Sequence, residues 1–184
     1  GEEDLSIPAL PDVRNFSYAV VEGKVYYREN SRMNPVDVSA TAESRIKGLI
    51  AIRDSVRQLI EYQTEDFPES FIAAEQTKLN NLYDEFSKKY GLINSRANTS
   101  AFSADSSYCL LVSLEILDDE GNFVRKADMF TKRTIRQKVV VTSVDTASEA
   151  LALSLAEKAR IDMPYMEQLT GKTEEQLYSD LRGV

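Results

Sequence analysis

Two long stretches of apolar residues at helical spacing follow one another in the middle of the chain. The first runs from Ile46 to Ile60, with Leu49, Ile52, Val56 and Leu59 recurring at helical spacing, and Ser39 or Thr41 precedes it as a candidate N-cap. The second is expected over residues 66–91. Consecutive helices of this length, joined by a short connection, pack as an antiparallel hairpin. We therefore expect a long helical hairpin to be the framework of the fold.

The ends of the second helix carry their own signals. Asp66, followed three residues later by Glu69, predicts a capping box at the N-terminus. Lys88 and Lys89 complement the carbonyl end of the helix dipole, and Gly91 is expected to end the helix. The predicted buried stripe of this helix consists of Ile72, Leu79, Leu82, Tyr83 and Phe86.

Residues of high β-propensity flank the helical hairpin on both sides. Residues 16–21 and 24–28 read as two strands around a Glu22–Gly23 turn, which predicts a β-hairpin. After the second long helix, residues 108–117 are expected to form a short helix that passes into a strand, and residues 123–130 return as its partner strand. The small sheets and the helices together predict an α+β fold.

The remaining segments define the expected domain boundaries. Residues 1–14 lack periodicity and read as a linker or disordered tail, and residues 94–107 read as a polar loop. Another loop is expected around Asn34–Pro35. The α+β domain is therefore expected to span residues 15–145, and a trihelical unit residues 146–184.

Three short helices are predicted in the trihelical unit, over residues 147–159, 163–169 and 173–181. Units of this size include helix-turn-helix DNA readers, so a truncated winged helix is one interpretation and a packing or docking unit is the other. Under the first, these side chains would reach a DNA groove: Tyr165, Gln168, Lys172, Thr173, Gln176 and Tyr178.

Composition excludes several kinds of catalytic site. The chain has no histidine and a single cysteine, Cys109, so it cannot assemble a zinc site from nitrogen and sulfur ligands or a nucleophile–histidine pair. Cys109 lies in an apolar run and is expected to be a buried, inert thiol. Residues 171–173 (GKT) and 117–121 (LDDEG) resemble nucleotide-binding strings, but their context predicts turns. We expect no metal, no bound cofactor and no catalytic residue in this chain; a hydrolase that uses paired carboxylates has no specific support.

Charge is unevenly distributed along an acidic chain of net charge −8. Six basic residues stand against the single acid Asp128 within residues 125–138, a pattern that suits contact with phosphate. The alternative is that they neutralise acids of the protein itself or of a neighbouring domain. The candidate nucleic-acid-binding residues are Arg125, Lys126, Lys132, Arg133, Arg136 and Lys138. The basic residues of the first long helix are expected to lie on its solvated face: Arg45, Lys47, Arg53 and Arg57.

No apolar stretch is long enough to cross a bilayer, and the N-terminus is acidic, so we expect a cytoplasmic protein. Gly1 stands where an initiator Met would be, and Val184 directly follows the helix-ending Gly183. We therefore expect the chain to be a segment of a longer protein.

Four stretches carry a resemblance to a known family: residues 15–31 (NFSYAVVEGKVYYRENS), 42–48 (AESRIKG), 126–132 (KADMFTK) and 163–173 (MPYMEQLTGKT). They resemble the region between the adenine-specific DNA methyltransferase and the Swi/Snf-type helicase of very large proteins encoded by bacterial plasmids, phages and conjugative elements. The resemblance covers nearly the whole chain from Asn15 onward.

The resemblance implies a parent protein that methylates adenine with S-adenosylmethionine and hydrolyses ATP with magnesium, through motifs outside this chain. The chain itself would then be a non-catalytic accessory module that couples the neighbouring methyltransferase and helicase domains and contacts DNA. The alternative is an interaction scaffold that never touches nucleic acid.

Overall fold

A computed structural model describes residues 3–136 and 143–182. The chain divides into two compact units, Gly1–Gln137 and Lys138–Val184. The sequence-based boundary, between residues 145 and 146, lies a few residues later in the chain. Each unit is described on its own below.

The first unit begins with a four-stranded antiparallel sheet. Its strands are β1 (Ile7–Pro8), β2 (Tyr18–Val21), β3 (Lys24–Glu29) and β4 (Arg32–Pro35), in the order β1-β4-β3-β2. The predicted hairpin is confirmed, and its two turn residues, Glu22 and Gly23, have φ of 51° and 79°. A two-residue turn with positive φ at both positions matches the twist of the flanking strands.

Two parts of this sheet differ from the sequence-based expectation. Asn34–Pro35 is the end of β4 rather than a loop. Within residues 1–14, expected to be a linker or tail, β1 pairs with β4, and the Ala9 amide donates to the Ser31 carbonyl at 2.8 Å. Such short strands have too few residues to show an alternating pattern.

The helical hairpin is confirmed as α1 (Ala40–Thr64) packed against α2 (Glu69–Tyr90). Ser39 is the N-cap of α1, and its side chain accepts from the Ala42 amide. The predicted capping box of α2 is wrong, because that helix starts at Glu69 with Pro68 as its N-cap. Asp66 instead adopts a positive φ of 54°, and the Phe67 ring packs on Tyr62. Gly91 ends α2 with φ of 79°, as predicted.

The polar segment predicted as a loop contains a helix, α3 (Arg96–Phe102). Ser95 caps it, and the buried Asn98 amide donates to the carbonyls of Tyr90 and Leu92 at 3.1 and 2.6 Å. The helix is therefore held by side-chain bonds to the end of α2, which a periodicity of apolar residues does not reveal.

A short helix, α4 (Tyr108–Val112), leads into β5 (Glu115–Leu117), as predicted. Its partner β6 (Phe123–Lys126) is shorter than expected and is followed by a 3-10 helix, Asp128–Phe130.

The expectation that Cys109 is a buried thiol is wrong. Its thiol is exposed, because α4 turns the buried Leu111 towards the core and Cys109 away from it.

The core of the first unit lies between the sheet and the helical hairpin and extends to the 3-10 helix. Its fully buried side chains include Leu49, Ile52, Val56, Leu59, Leu79, Phe102, Leu111, Leu114 and Phe130. All four of the α1 residues in this set were predicted from their spacing. Among the described residues, no helix is both long and apolar enough to cross a membrane.

The second unit has the three predicted helices, α5 (Ala147–Lys158), α6 (Met163–Thr170) and α7 (Glu174–Leu181). They enclose a small core of Ala147, Ala150, Met166, Leu169 and Leu177. The α+β class with a C-terminal three-helix unit is therefore confirmed.

Candidate nucleic-acid interface

The predicted basic stretch packs along α2. Its described part, residues 125–136, is called the basic ribbon below. Asn80 of α2 donates to the Phe130 carbonyl at 3.0 Å, and Gln76 donates to the Lys132 carbonyl at 3.1 Å. The ribbon backbone is thus fixed by amide side chains spaced one turn apart on a rigid helix.

Arg133 is enclosed by acceptors from the connection between α1 and α2. Its Nη1 donates to Glu69 at 2.8 Å, and its Nη2 donates to Asp66 and to the Gln63 carbonyl, both at 3.1 Å. Its Nε donates to the Ile135 carbonyl at 2.8 Å, and the side chain is only 14% exposed. The bonds to Glu69 and Asp66 raise the pKa of Arg133 above its ordinary value. Arg133 therefore already has its anionic partners within the protein.

Gln63 is the second anchor of the ribbon. Its side chain is fully buried, and its Oε1 accepts the backbone amides of Thr134 and Ile135, each at 2.8 Å. Because two successive amides are held by one oxygen, the chain at this point has a fixed position on the end of α1.

Lys126 is also engaged within the protein. Its Nζ lies 2.7 Å from a carboxylate oxygen of Asp84 and donates to Asn80 Oδ1 at 2.8 Å. The same ammonium lies over the rings of Tyr83 and Phe130, at 5.3 and 5.1 Å from their centroids. Contact with a phosphate would have to compete with these partners.

The other candidate DNA-binding side chains of the ribbon are more exposed to solvent than Arg133 and have fewer partners within the protein than Lys126. Arg125 pairs with Asp128 at 3.0 Å, and Lys132, whose side chain is 70% exposed, lies 3.9 Å from the same carboxylate. Arg136 is exposed and has no ion pair with any residue that the structure describes. Lys138 lies outside the described residues. Lys132 and Arg136 are thus the ribbon side chains best placed to meet a phosphate.

In the second unit, α6 and α7 are joined by the three residues Gly171–Thr173, a length typical of helix-turn-helix units. Gly171 ends α6 with φ of 71°, and Thr173 forms a reciprocal capping box with Gln176 at the start of α7. The GKT string is therefore a turn, as predicted. Lys172 lies 2.5 Å from Asp180, and Thr173 and Gln176 bond to each other, so three of the proposed groove-reading side chains have partners within the unit.

The outward face of α7 is acidic. Glu174 and Glu175 are exposed beside Tyr178, whereas the buried side of the helix is formed by Leu177; the exposed Asp180 is paired with Lys172. Tyr178, which is 56% exposed, is the large apolar group on this face. Carboxylates at these positions would repel phosphate, while a tyrosine between charges suits contact with a protein partner.

One cluster was missed by the sequence analysis. Arg53 was expected on a solvated face, but its side chain is 5% exposed and bonds to the fully buried Asp105 at 2.8 Å. Arg53 also donates to the Tyr18 carbonyl at 2.6 Å and pairs with Asp54 at 2.9 Å. The sequence does contain a signal: Arg53 lies three or four residues from Leu49, Ile50 and Val56, a spacing that places it on the apolar face of α1.

Taken separately, the units define an α+β domain with a basic ribbon and a three-helix unit with a helix-turn-helix connection. Residues 143–184 match a family model described as "Probable helicase, winged helix domain". The match lies within the second unit and covers less than half of the chain. No curated protein and no solved structure matches the chain significantly. Over the described residues, no group of three or more potential metal ligands is brought together.

Proposed function

We propose that this chain is a non-catalytic accessory module of a helicase protein and that it contacts DNA through the exposed side chains of the basic ribbon. The observation that supports the proposal most is the match of residues 143–184 to a winged-helix domain of probable helicases. In this proposal the ATP-binding and magnesium-binding residues belong to another part of the same protein. On the basis of the family resemblance of residues 15–31 and 163–173, the proposal also includes an adenine-specific methyltransferase domain that uses S-adenosylmethionine in the same protein, which would be encoded by a bacterial mobile element.

Coupling between neighbouring domains is the mechanical part of the proposal. The ribbon runs towards the second unit in sequence, and its last described residues are anchored by Arg133 and Gln63. An anchored exit gives the following segment a fixed starting point on the first unit. DNA held by Lys132 and Arg136 would then lie next to the chain that leads to the winged-helix unit.

A second candidate is an interaction scaffold without nucleic-acid contact. The exposed carboxylates of Glu174 and Glu175 at the start of α7 favour it. Under this proposal the partner is a basic surface of the neighbouring methyltransferase or helicase domain, with Tyr178 as the apolar anchor.

Fluorescence anisotropy with labelled single-stranded, duplex and forked DNA distinguishes the two candidates. We expect binding at low salt that weakens steeply as salt is added. The variant Lys132→Ala with Arg136→Ala should lower the slope of log affinity against log salt by about 2, because each phosphate contact contributes roughly one unit. Arg133 is left unchanged, since it anchors the fold.

The matched control is Lys78→Ala with Arg96→Ala, which removes the same charge from exposed positions outside the ribbon. An equal loss of affinity in both variants would show that binding follows net charge and not the ribbon. If no form of DNA binds even at low salt, the scaffold is favoured. Titration of the helicase part with wild type and Tyr178→Ala then tests that candidate.

A further inference from the structure

A cavity of about 380 Å³ lies between α1 and the chain that enters β2. Four basic side chains line it, against two acidic ones, Asp12 and Asp54. The basic residues are Arg14, Lys47, Arg53 and Arg57. Its volume falls within the range of small-ligand sites. Positive charge therefore predominates in a recess of a chain that is acidic overall.

Two of these basic side chains are neutralised by neighbours. Lys47 pairs with Glu43 at 3.2 Å. Arg53 uses Asp54 on one side and the buried Asp105 on the other. Neither of them requires a further anion.

Arg57 is in a different position. Its Nε and Nη2 both point to a single neutral oxygen, Ser107 Oγ, at 3.2 and 2.6 Å. Within the described residues, no carboxylate oxygen lies within 4 Å of its guanidinium and its Nη1 has no acceptor. Arg14, exposed at the mouth, likewise has no ion pair in the part of the chain that the structure describes. A half-buried guanidinium without a counter-ion is unusual, because desolvated charges are normally paired.

The electrostatics of Arg57 agree with this geometry. Burial, followed by the neighbouring charges of Arg53 and Arg14, lowers the pKa of Arg57 to about 10. Asp105 and Asp54 act in the opposite direction without reversing the effect. An anion between Arg14 and Arg57 would relieve the repulsion among the three guanidinium groups.

We infer that this cavity is a binding site for a phosphate group, held by Arg57 from its wall and Arg14 from its mouth. A phosphate has enough oxygens to accept from Arg57 Nη1 and from the guanidinium fork of Arg14 together, whereas one fork already occupies both oxygens of a carboxylate. Arg14 and Arg57 also line an adjoining cavity, but the carboxylates of Glu61 and Glu65 lie in its wall and would repel an anion. The phosphate is therefore assigned to the 380 Å³ cavity. The site is separate from the basic ribbon and does not depend on the proposed function.

The test is an amide NMR titration of the whole chain at constant ionic strength. The probes are inorganic phosphate, a nucleoside monophosphate, a short single-stranded oligonucleotide and acetate. We expect saturable shifts in residues 12–21 and 50–57 with at least one phosphate-bearing probe, and weaker ones with acetate. Response to the two small probes would identify a free phosphate or nucleotide as the source; response to the oligonucleotide alone would identify the nucleic-acid backbone.

Arg57→Gln and Arg14→Gln should each weaken binding about tenfold or more, the size of a lost charge-assisted hydrogen bond. Within the described residues Arg14 has no hydrogen bond or ion pair and is exposed, so Arg14→Gln should leave the unfolding midpoint unchanged, and a loss of binding in this variant reports the cavity. Arg96→Gln, which removes an exposed arginine away from the cavity, should change nothing, and neither should Lys132→Ala with Arg136→Ala. The inference is overturned if none of the three phosphate-bearing probes gives saturable shifts at concentrations up to about 10 mM. It is also overturned by equal binding of acetate, or by unchanged affinity in Arg14→Gln and Arg57→Gln.

Discussion

Replacing Asp105 by alanine should destabilise the first unit by about 3 kcal/mol, near the low end of the range for breaking a buried ion pair. The carboxylate is fully buried and accepts from Arg53 at 2.8 Å, from the Tyr18 amide at 3.0 Å and from the Ser107 amide at 2.8 Å. Alanine leaves all three donors without this acceptor. The low end applies because Asp54 still neutralises Arg53 from the solvent side.

The assay is urea unfolding followed by far-UV circular dichroism. With a slope of about 1–3 kcal/mol per molar urea, the expected loss lowers the midpoint by roughly 1–3 M. Asp54→Ala is the control, because its carboxylate is 58% exposed and an exposed pair contributes less than about 1 kcal/mol. A second variant combines Asp105→Ala with Arg53→Met and should recover at least about 1 kcal/mol, since it no longer leaves a buried charge. A loss below about 1 kcal/mol for Asp105→Ala would refute the reasoning.

Three further predictions concern packing, pH and capping. Gly48→Ala should lower the free energy of unfolding in urea by up to about 2 kcal/mol, because the new Cβ would lie 2.8 Å from the buried Phe86 ring and this clash outweighs the gain in helix propensity. Combining it with Phe86→Leu should relieve part of the loss, because leucine removes the ring atoms that the Cβ meets. Burial and the hydrogen bond to Glu115 raise the pKa of Tyr83, so the stability that this residue contributes below pH 10 should be lost as the pH rises further. The free energy of unfolding should therefore fall less steeply with pH in Tyr83→Phe than in wild type or in the exposed-site control Tyr178→Phe, and equal slopes would contradict this. Thr173→Ala should cost the second unit about 1 kcal/mol in thermal unfolding and Thr173→Ser much less, and equal losses would show that the cap hydroxyl is unimportant.

The long helices could be predicted because their apolar residues repeat over many turns. Leu49, Ile52, Val56 and Leu59 are all buried at the predicted spacing. The start of α2 could not be predicted in the same way. Asp66 and Glu69 match a capping pattern in sequence, but their carboxylates bind Arg133, more than 60 residues later in the chain. A local pattern cannot show that its side chains have a distant partner.

The helix α3 and the exposure of Cys109 show the same limit. Asn98 stabilises α3 through carbonyls at the end of α2, and a buried asparagine looks like a loop residue in sequence. Cys109 lies in an apolar run, but a five-residue helix buries only one side of such a run. In both cases the local sequence is compatible with two structures, a loop or a helix for residues 96–102 and a buried or an exposed thiol for Cys109, and tertiary contacts decide between them.

Charge is the property for which sequence and structure diverge most. The basic ribbon was predicted from the scarcity of acids between residues 125 and 138, but the acids that pair with it come from α2 and from the connection before it. Counting neighbours along the chain therefore overestimates the free positive charge of the ribbon. The opposite holds for α1, where Arg57 stands among several acids in sequence yet has no carboxylate within ion-pair distance among the described residues. If phosphate contact depends on uncompensated charge, Arg57 and Arg136 should matter more than Arg133 and Lys126, although the sequence favoured Arg133 and Lys126 as phosphate contacts and placed Arg57 on a solvated face.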